Sequence, residues 1–231
     1  IETSGLDPCR HNILEAAFVI DGEDYYNTPL RLLPWNSMLI VQEDYYCSPY
    51  VAMMHAKNGL WDDIEQAKKR IKDNLPFDLE KGHKPAREDA VEGIRVLFAQ
   101  IGSMLGNRVT LAGKNIASFD MKFLVENDVV DQTWSFTEDY SANGPSPCKG
   151  MKITHRVLDV GPMYYRKGLD SIPDTKMCCE LADIPTPNMN HRAYGDCIQV
   201  AALLRKKING KLSDEDMGFL KALNYFENSG K

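Results

Sequence analysis

The sequence predicts an α/β domain built around a mixed sheet. Two observations carry that reading. Short apolar runs of strand length lead the chain, and helical periodicity then alternates with further short runs. No Gly-, Pro- or Ser-rich linker separates two cores within the 231 residues, so residues 1–231 are read as one domain.

In chain order, residues 13–21 (ILEAAFVID) form an apolar run that ends at Asp21-Gly22, a hairpin-turn signal. Residues 39–41 form another short strand. Trp61, Ile64, Ile71 and Leu75 share one face of a helix over 61–75. Ala90, Ile94, Leu97, Ile101, Met104 and Leu105 keep the helical period over 86–105, and Gly106-Asn107 ends it. Residues 108–112 (RVTLA) read as a buried strand and 119–127 as a helix. Residues 135–149 are rich in Gly, Pro and Ser and read as an exposed loop. Residues 156–160 (RVLDV) give the next strand. A short helix over 175–182 is followed by the breakers Pro185 and Pro187. A long helix covers 191–208. The last spans 213–226 and opens with a Ser213…Asp216 capping pattern.

Composition narrows the class. With 43% hydrophobic and 26% charged residues, the chain reads as an ordinary soluble globular protein. No apolar run approaches the roughly 18 residues that would span a bilayer, so no membrane is expected. No signal peptide is visible. The six cysteines (Cys9, Cys47, Cys148, Cys178, Cys179, Cys197) form no C-x-x-C pair, which argues against a zinc ribbon or a dithiol redox site. Reduced, mostly buried thiols and a cytoplasmic location are the expectation. The net charge of −6 argues against tight, sequence-blind binding of long duplex DNA.

Three segments carry candidate chemistry: Glu2 in I-E-T-S-G-L, Asp120 in K-N-I-A-S-F-D, and His191 with Asp196 in H-R-A-Y-G-D. Singly, each has a plain reading. Glu2 is a solvated carboxylate near a terminus, Asp120 a helix-start cap and His191 a surface or core histidine. Their order and setting say more. An acidic residue ends a first strand, an N-x-x-x-F-D follows a strand and opens a helix, and an H-x-A-x-x-D opens a long helix.

In that order the chain resembles the histidine-bearing branch of the DEDD superfamily of 3′→5′ exonucleases. The branch includes DNA polymerase III proofreading subunits, ribonuclease T and oligoribonuclease. The strings A-G-K-N-I-A-S-F-D-M-K-F-L (112–124) and H-R-V-L-D-V (155–160) are similar to family strings, and Ile184-Pro185 also fits. H-A-K-N-G-L (55–60) resembles the H-x-x-S-G-L of oligoribonucleases, with Asn58 where Ser is usual. The family's first motif reads D-x-E-T-[ST]-G-L. Residues 1–6 match it from the second letter, so the resemblance implies an Asp immediately before Ile1 and a first strand that begins there. The tyrosine branch would need Tyr at position 192, where Arg stands.

The resemblance implies a ribonuclease H-like fold, with a mixed central sheet flanked by helices. It implies a metal-dependent exonuclease that releases nucleoside 5′-monophosphates from single-stranded DNA or short RNA 3′ ends. The implied cofactors are two Mg²⁺ or Mn²⁺ ions, which in such sites lie about 4 Å apart. Glu2, Asp120, His191 and Asp196 are the implied catalytic residues. Glu2 and Asp196 would hold one ion, Asp120 would support the other, and the preceding Asp would bridge them. Hard oxygen ligands suit Mg²⁺, and a few carboxylates suffice because the ion keeps some of its waters. An acidic nuclease of this kind should prefer short strands or free ends.

His191 would be the general base, taking a proton from the attacking water. It stands five residues before Asp196, about 140° away on an ideal helix. The two cannot share one helical face, so His191 is expected in the loop or first turn entering the helix.

For substrate contacts the same resemblance implies that Thr3 and Ser4 offer N–H groups or hydroxyls to the 3′ end. Leu6 either wedges against the last bases or is a core leucine. Asn115 and Phe119 support the second motif, Phe119 beside the terminal base or as a buried anchor. Arg192 pairs with a phosphate or is simply solvated. His55 and Trp61 either line the nucleotide channel or only pack. Asp159 reads as structural and Arg166-Lys167 as a solvated turn. A competing reading is a catalytically inactive nucleic-acid-binding or polymerase-associated module that retains the fold. The residue before Ile1 separates the two. Neither reading fixes whether the chain pairs as a homodimer or associates with a polymerase.

Overall fold

The computed structural model describes residues 1–77, 83–106, 108–136, 148, 151–186 and 192–226, with side chains to residue 223. The chain is mixed α/β. A four-stranded sheet is formed by β1 (Glu2–Thr3), β2 (Ile13–Val19), β3 (Trp35–Ile40) and β4 (Ala86–Arg87), in that order. β1 to β3 are antiparallel neighbours, and β4 joins β3 in parallel. Two short parallel pairs extend the strand content. β5 (Arg108–Val109) pairs with β7 (Lys152–Ile153), and β6 (Ala112–Gly113) with β8 (Leu158–Asp159).

Helices α1 (Pro49–Lys57) and α2 (Leu60–Lys72) follow β3, α3 (Ala90–Leu105) follows β4, and α4 (Asp120–Glu126) follows β6. Helices α5 (Val160–Tyr164), α6 (Thr175–Ala182), α7 (Ala193–Asn209) and α8 (Asp214–Phe226) complete the chain. Two short 3-10 turns, Glu23–Tyr25 and Leu30–Leu32, lie between β2 and β3.

Strand alternation sorts the core. Ala16, Met38 and Ile40 pack with Ile94, Leu97, Phe98 and Ile101 of α3 on one side of the sheet. Leu39 and Val41 turn to the other side, against Leu60, Ile64 and Ala67 of α2. Helix α7 anchors a third cluster with α5, α6 and α8. α7 packs along β2, while α3 touches β2, β3, β4 and β5. β2 breaks register opposite β1: Glu2 faces Glu15 and Thr3 faces Ile13, leaving Leu14 as the extra residue. Such a bulge re-aims the side chains beyond it.

The expected helices at 119–127, 175–182 and 213–226 match α4, α6 and α8 to within one residue at each end. Elsewhere the boundaries shift for physical reasons. The expected helix over 86–105 loses its first turn. The Leu39 N–H donates to the Pro85 carbonyl and the Val41 N–H to the Arg87 carbonyl, which pulls 86–87 into the sheet. The Asp89 side chain then caps α3, accepting from the Val91 and Glu92 N–H groups at 2.8 and 3.1 Å.

The helix at 61–75 ends at Lys72. Asn74 takes a left-handed φ of 53°, and Leu75 is exposed. The strand at 156–160 keeps only Leu158–Asp159. Asp159 accepts from the Gly161 N–H at 2.9 Å and starts α5 at Val160. Helix α1 was not anticipated. Its signal was Ser48-Pro49, an N-cap followed by proline at the first helical position. Most of 135–149 lies outside the described residues, although Cys148 is buried.

All six thiols are free, with Cys148, Cys178 and Cys179 buried. Among the described residues, no helix is long and apolar enough to cross a membrane. Asp89→Ala is expected to cost about 1 kcal/mol through loss of the α3 cap, read as a lower urea midpoint at constant m.

Candidate active site

Glu2 lies on β1, and 7% of its surface is exposed. Asp196 sits in the first turn of α7, nearly the whole chain away, and is exposed. Their carboxyl groups come within hydrogen-bonding reach of each other. Burial first, and the Asp196 charge second, hold the Glu2 carboxyl well above the ordinary glutamate range. Two carboxylates this close cannot both stay ionised cheaply. They share a proton, or a cation takes its place.

Asp120 opens α4 beside this pair. Its Oδ1 accepts from the main-chain nitrogen of Ile1 at 2.9 Å, one residue before Glu2. The turn that delivers it centres on Asn115, whose φ of 58° is left-handed. The Asn115 carbonyl accepts from the Ser118 and Phe119 N–H groups, and its own N–H donates to Asp159 at 3.0 Å. Asp159 therefore ties the Asp120 turn to α5, the structural role expected of it. Phe119 is half-buried against Phe123 and the α3-side core, as an anchor for the start of α4.

Cys197, next to Asp196, is half-buried beside the same groups. Burial pushes its thiol up to about 12, and the Asp196, Asp120 and Glu15 charges push in the same direction. Such a thiol is inert at neutral pH.

Behind Glu2 stands His55, fully buried on α1. Its Nε2 is 3.2 Å from the Thr3 carbonyl and 3.9 Å from Glu2 Oε2. Asn58 holds the ring from its other nitrogen. The Leu60 N–H donates to Asn58 Oδ1 at 3.0 Å, which turns the Asn58 amide nitrogen toward His55 Nδ1 at 3.2 Å. Nε2 faces the strand that carries Glu2. His55 does not line a nucleotide channel. It stands behind the carboxylate, with the Trp61 ring edge-on to it.

Arg192 also departs from expectation. Its guanidinium makes a two-point contact with Glu15 (Nε to Oε2 3.1 Å, Nη2 to Oε1 3.0 Å) and reaches Asp63 at 2.7 Å. Burial works against its charge, and Glu15 and Asp63 more than offset it. Glu15 is 1% exposed in the middle of β2 and also accepts from the Ala193 N–H at 3.0 Å. Lys84 completes the cluster, 3.3 Å from Glu15 and 3.0 Å from Asp63. Arg192 is consumed inside the fold because a carboxylate buried in a strand needs a cation. The cluster fixes where α7 begins, and hence where Asp196 points. Glu15 was the readable signal, as a lone acid inside an apolar run.

Ser4 is fully buried and offers nothing to a ligand. Its N–H donates to the Asn12 carbonyl and its hydroxyl to the Tyr46 carbonyl, while the hydroxyl oxygen accepts from the Asn12 N–H. The Thr3 hydroxyl is likewise used, on the Gly5 carbonyl at 2.6 Å. An added Cβ at Gly5 would collide with the His11 ring unless that side chain moved. Beyond it Leu6 is 78% exposed, which removes the core reading for that residue. His191 lies outside the described residues.

Among the described residues, no three His, Cys, Asp or Glu side chains form a ready metal cage. The donors are all hard oxygens, from two touching carboxylates with Asp120 as their neighbour. That set suits Mg²⁺, which is commonly held by one or two carboxylates with water and substrate phosphate. No protein-family model matches this chain, and no curated protein matches it.

Proposed function

We propose that this protein is a metal-dependent 3′→5′ exonuclease of the histidine branch of the DEDD superfamily, with a ribonuclease H-like fold. It would act on single-stranded DNA or short RNA ends. The observation that carries the reading is the contact between Glu2 and Asp196, with Asp120 at the neighbouring main-chain nitrogen. Three segments far apart in sequence supply these acids, and each acid stands in the motif that the resemblance implies. The helices add support for the fold. α3 reaches from the four-stranded sheet to β5, and α7 from β2 and β3 to β6.

Glu2 and Asp196 would hold one Mg²⁺ or Mn²⁺, with Asp120 toward a second. Bound there, the ions would supply Lewis-acid stabilisation of charge on the phosphoryl oxygens. The chain's own residues do the remainder. His55, fixed by Asn58, keeps the Glu2 strand in place. The Arg192–Glu15 contact aims α7 and therefore Asp196. His191 takes the proton from the attacking water, and Leu6 presents an apolar edge to the terminal base.

The test is digestion of 5′-labelled DNA and RNA oligomers with Mg²⁺, Mn²⁺ or EDTA. Shortening from the 3′ end that stops in EDTA is expected. Intact oligomers under all metal conditions overturn the reading. His191→Ala should lower turnover about 10²–10⁴-fold with an unchanged melting temperature. Parental activity in that variant removes His191 as the base.

A further inference from the structure

Away from the carboxylates, a groove of about 470 Å³ opens over the β5/β7 pair, lined by Arg108, Thr110, Lys152, Thr154, His155 and Arg156. Strand alternation builds it. Val109 and Ile153 turn inward to the α3-side core, so Arg108, Thr110, Lys152 and Thr154 share the opposite face. Three cations line it and no carboxylate does, in a chain whose net charge is −6. Among the described residues, Arg108, Lys152 and Arg156 take part in none of the ion pairs. The Thr110 and Thr154 hydroxyls lie 3.1 Å apart on the floor. At the rim the exposed His155 ring lies tilted against Trp134, with centroids 4.6 Å apart and an interplanar angle of 32°.

We propose that this groove holds the phosphodiester backbone of a single-stranded nucleic acid upstream of its 3′ end. Arg108, Lys152 and Arg156 contact phosphates, and the outer face of His155 stacks on a base. Cations beside an aromatic platform are what single-strand binding uses. The volume lies within the about 300–1,000 Å³ of sites that take one small unit of ligand. Arg108 precedes Gly113 by five residues, about 17 Å of extended chain. Asp120 opens α4 seven residues after Gly113, beyond the Asn115 turn. At about 3.4 Å or more per nucleotide, a strand with its 3′ end at the carboxylates needs several nucleotides to reach the groove. The inference rests on the proposed function for the direction of the strand, and on the groove's own chemistry for the contact.

The probe is a 5′-fluorescein deoxythymidine oligomer of about 20 nucleotides, beyond the reach of one groove, followed by anisotropy in EDTA across a salt series. The Arg108→Ala/Lys152→Ala/Arg156→Ala variant should bind at least about tenfold more weakly. Its log K against log salt slope should be shallower by about 2, at about 0.7 per lost phosphate contact on a single strand. A trimer, too short to span, should lose little. Arg156→Glu, an exposed position, is a second variant, expected to bind more weakly than Arg156→Ala. Parental affinity and slope in the triple variant overturn the proposal. So does displacement of the probe by inorganic phosphate, or by polyglutamate of equal charge, as effectively as by unlabelled oligomer. Failure of the exonuclease reading shows separately, as absence of shortening with any metal, and leaves the salt-slope result standing.

Discussion

Asp196→Asn is expected to reduce nucleolytic turnover by about a thousandfold, the cost of removing one electrostatic contact to the reacting group. Mn²⁺ affinity measured by calorimetry should fall with it, because a neutral amide replaces a hard anionic oxygen. Stability should not follow. The carboxyls of Glu2 and Asp196 lie within hydrogen-bonding reach, and burial with the Asp196 charge raises the Glu2 carboxyl. An asparagine at 196 keeps an acceptor oxygen and removes the like charge. The melting temperature should therefore stay within about 3 °C of the parent, roughly 1 kcal/mol in a chain of this size. Loss of activity together with collapse of the fold would make Asp196 a structural residue. Unchanged metal affinity would remove it from the proposed ligand set.

Arg192→Ala is expected to cost about 3 kcal/mol or more of stability, since it strands a carboxylate that is 1% exposed. Lys84 and the Ala193 N–H remain on Glu15 and keep the loss from growing larger. Urea unfolding should show a lower midpoint at the same m. Adding Glu15→Gln to that variant should recover part of the loss, because the buried charge is gone. A phosphate-binding arginine behaves differently: its removal weakens substrate binding and leaves the midpoint alone. That outcome would return Arg192 to the substrate.

The core faces were legible because they depend on local period. Ile94, Leu97 and Ile101 recur at helical spacing and are all buried on α3. Boundaries were less legible where a distant partner competes. Residues 86–87 have helical neighbours, yet β3 offers their backbone a ladder. Val160 reads as strand until Asp159 caps the turn after it.

The candidate site divides in the same way. Glu2, Asp120 and Asp196 could be picked out by motif. The uses of Arg192, Ser4 and His55 could not, because each is decided by a residue far along the chain: Glu15, Tyr46 and Thr3 respectively.

The chain by itself determined that acids stand at a strand and at two helix starts, and that its helices and strands make a mixed α/β core. Period and order are properties of neighbouring residues. Only the tertiary structure decided that the acids of β1 and α7 touch, that Arg192 is spent on Glu15, and that three cations gather on one strand face. Charges interact over a few ångströms in space, and distance in space is set by how the layers pack.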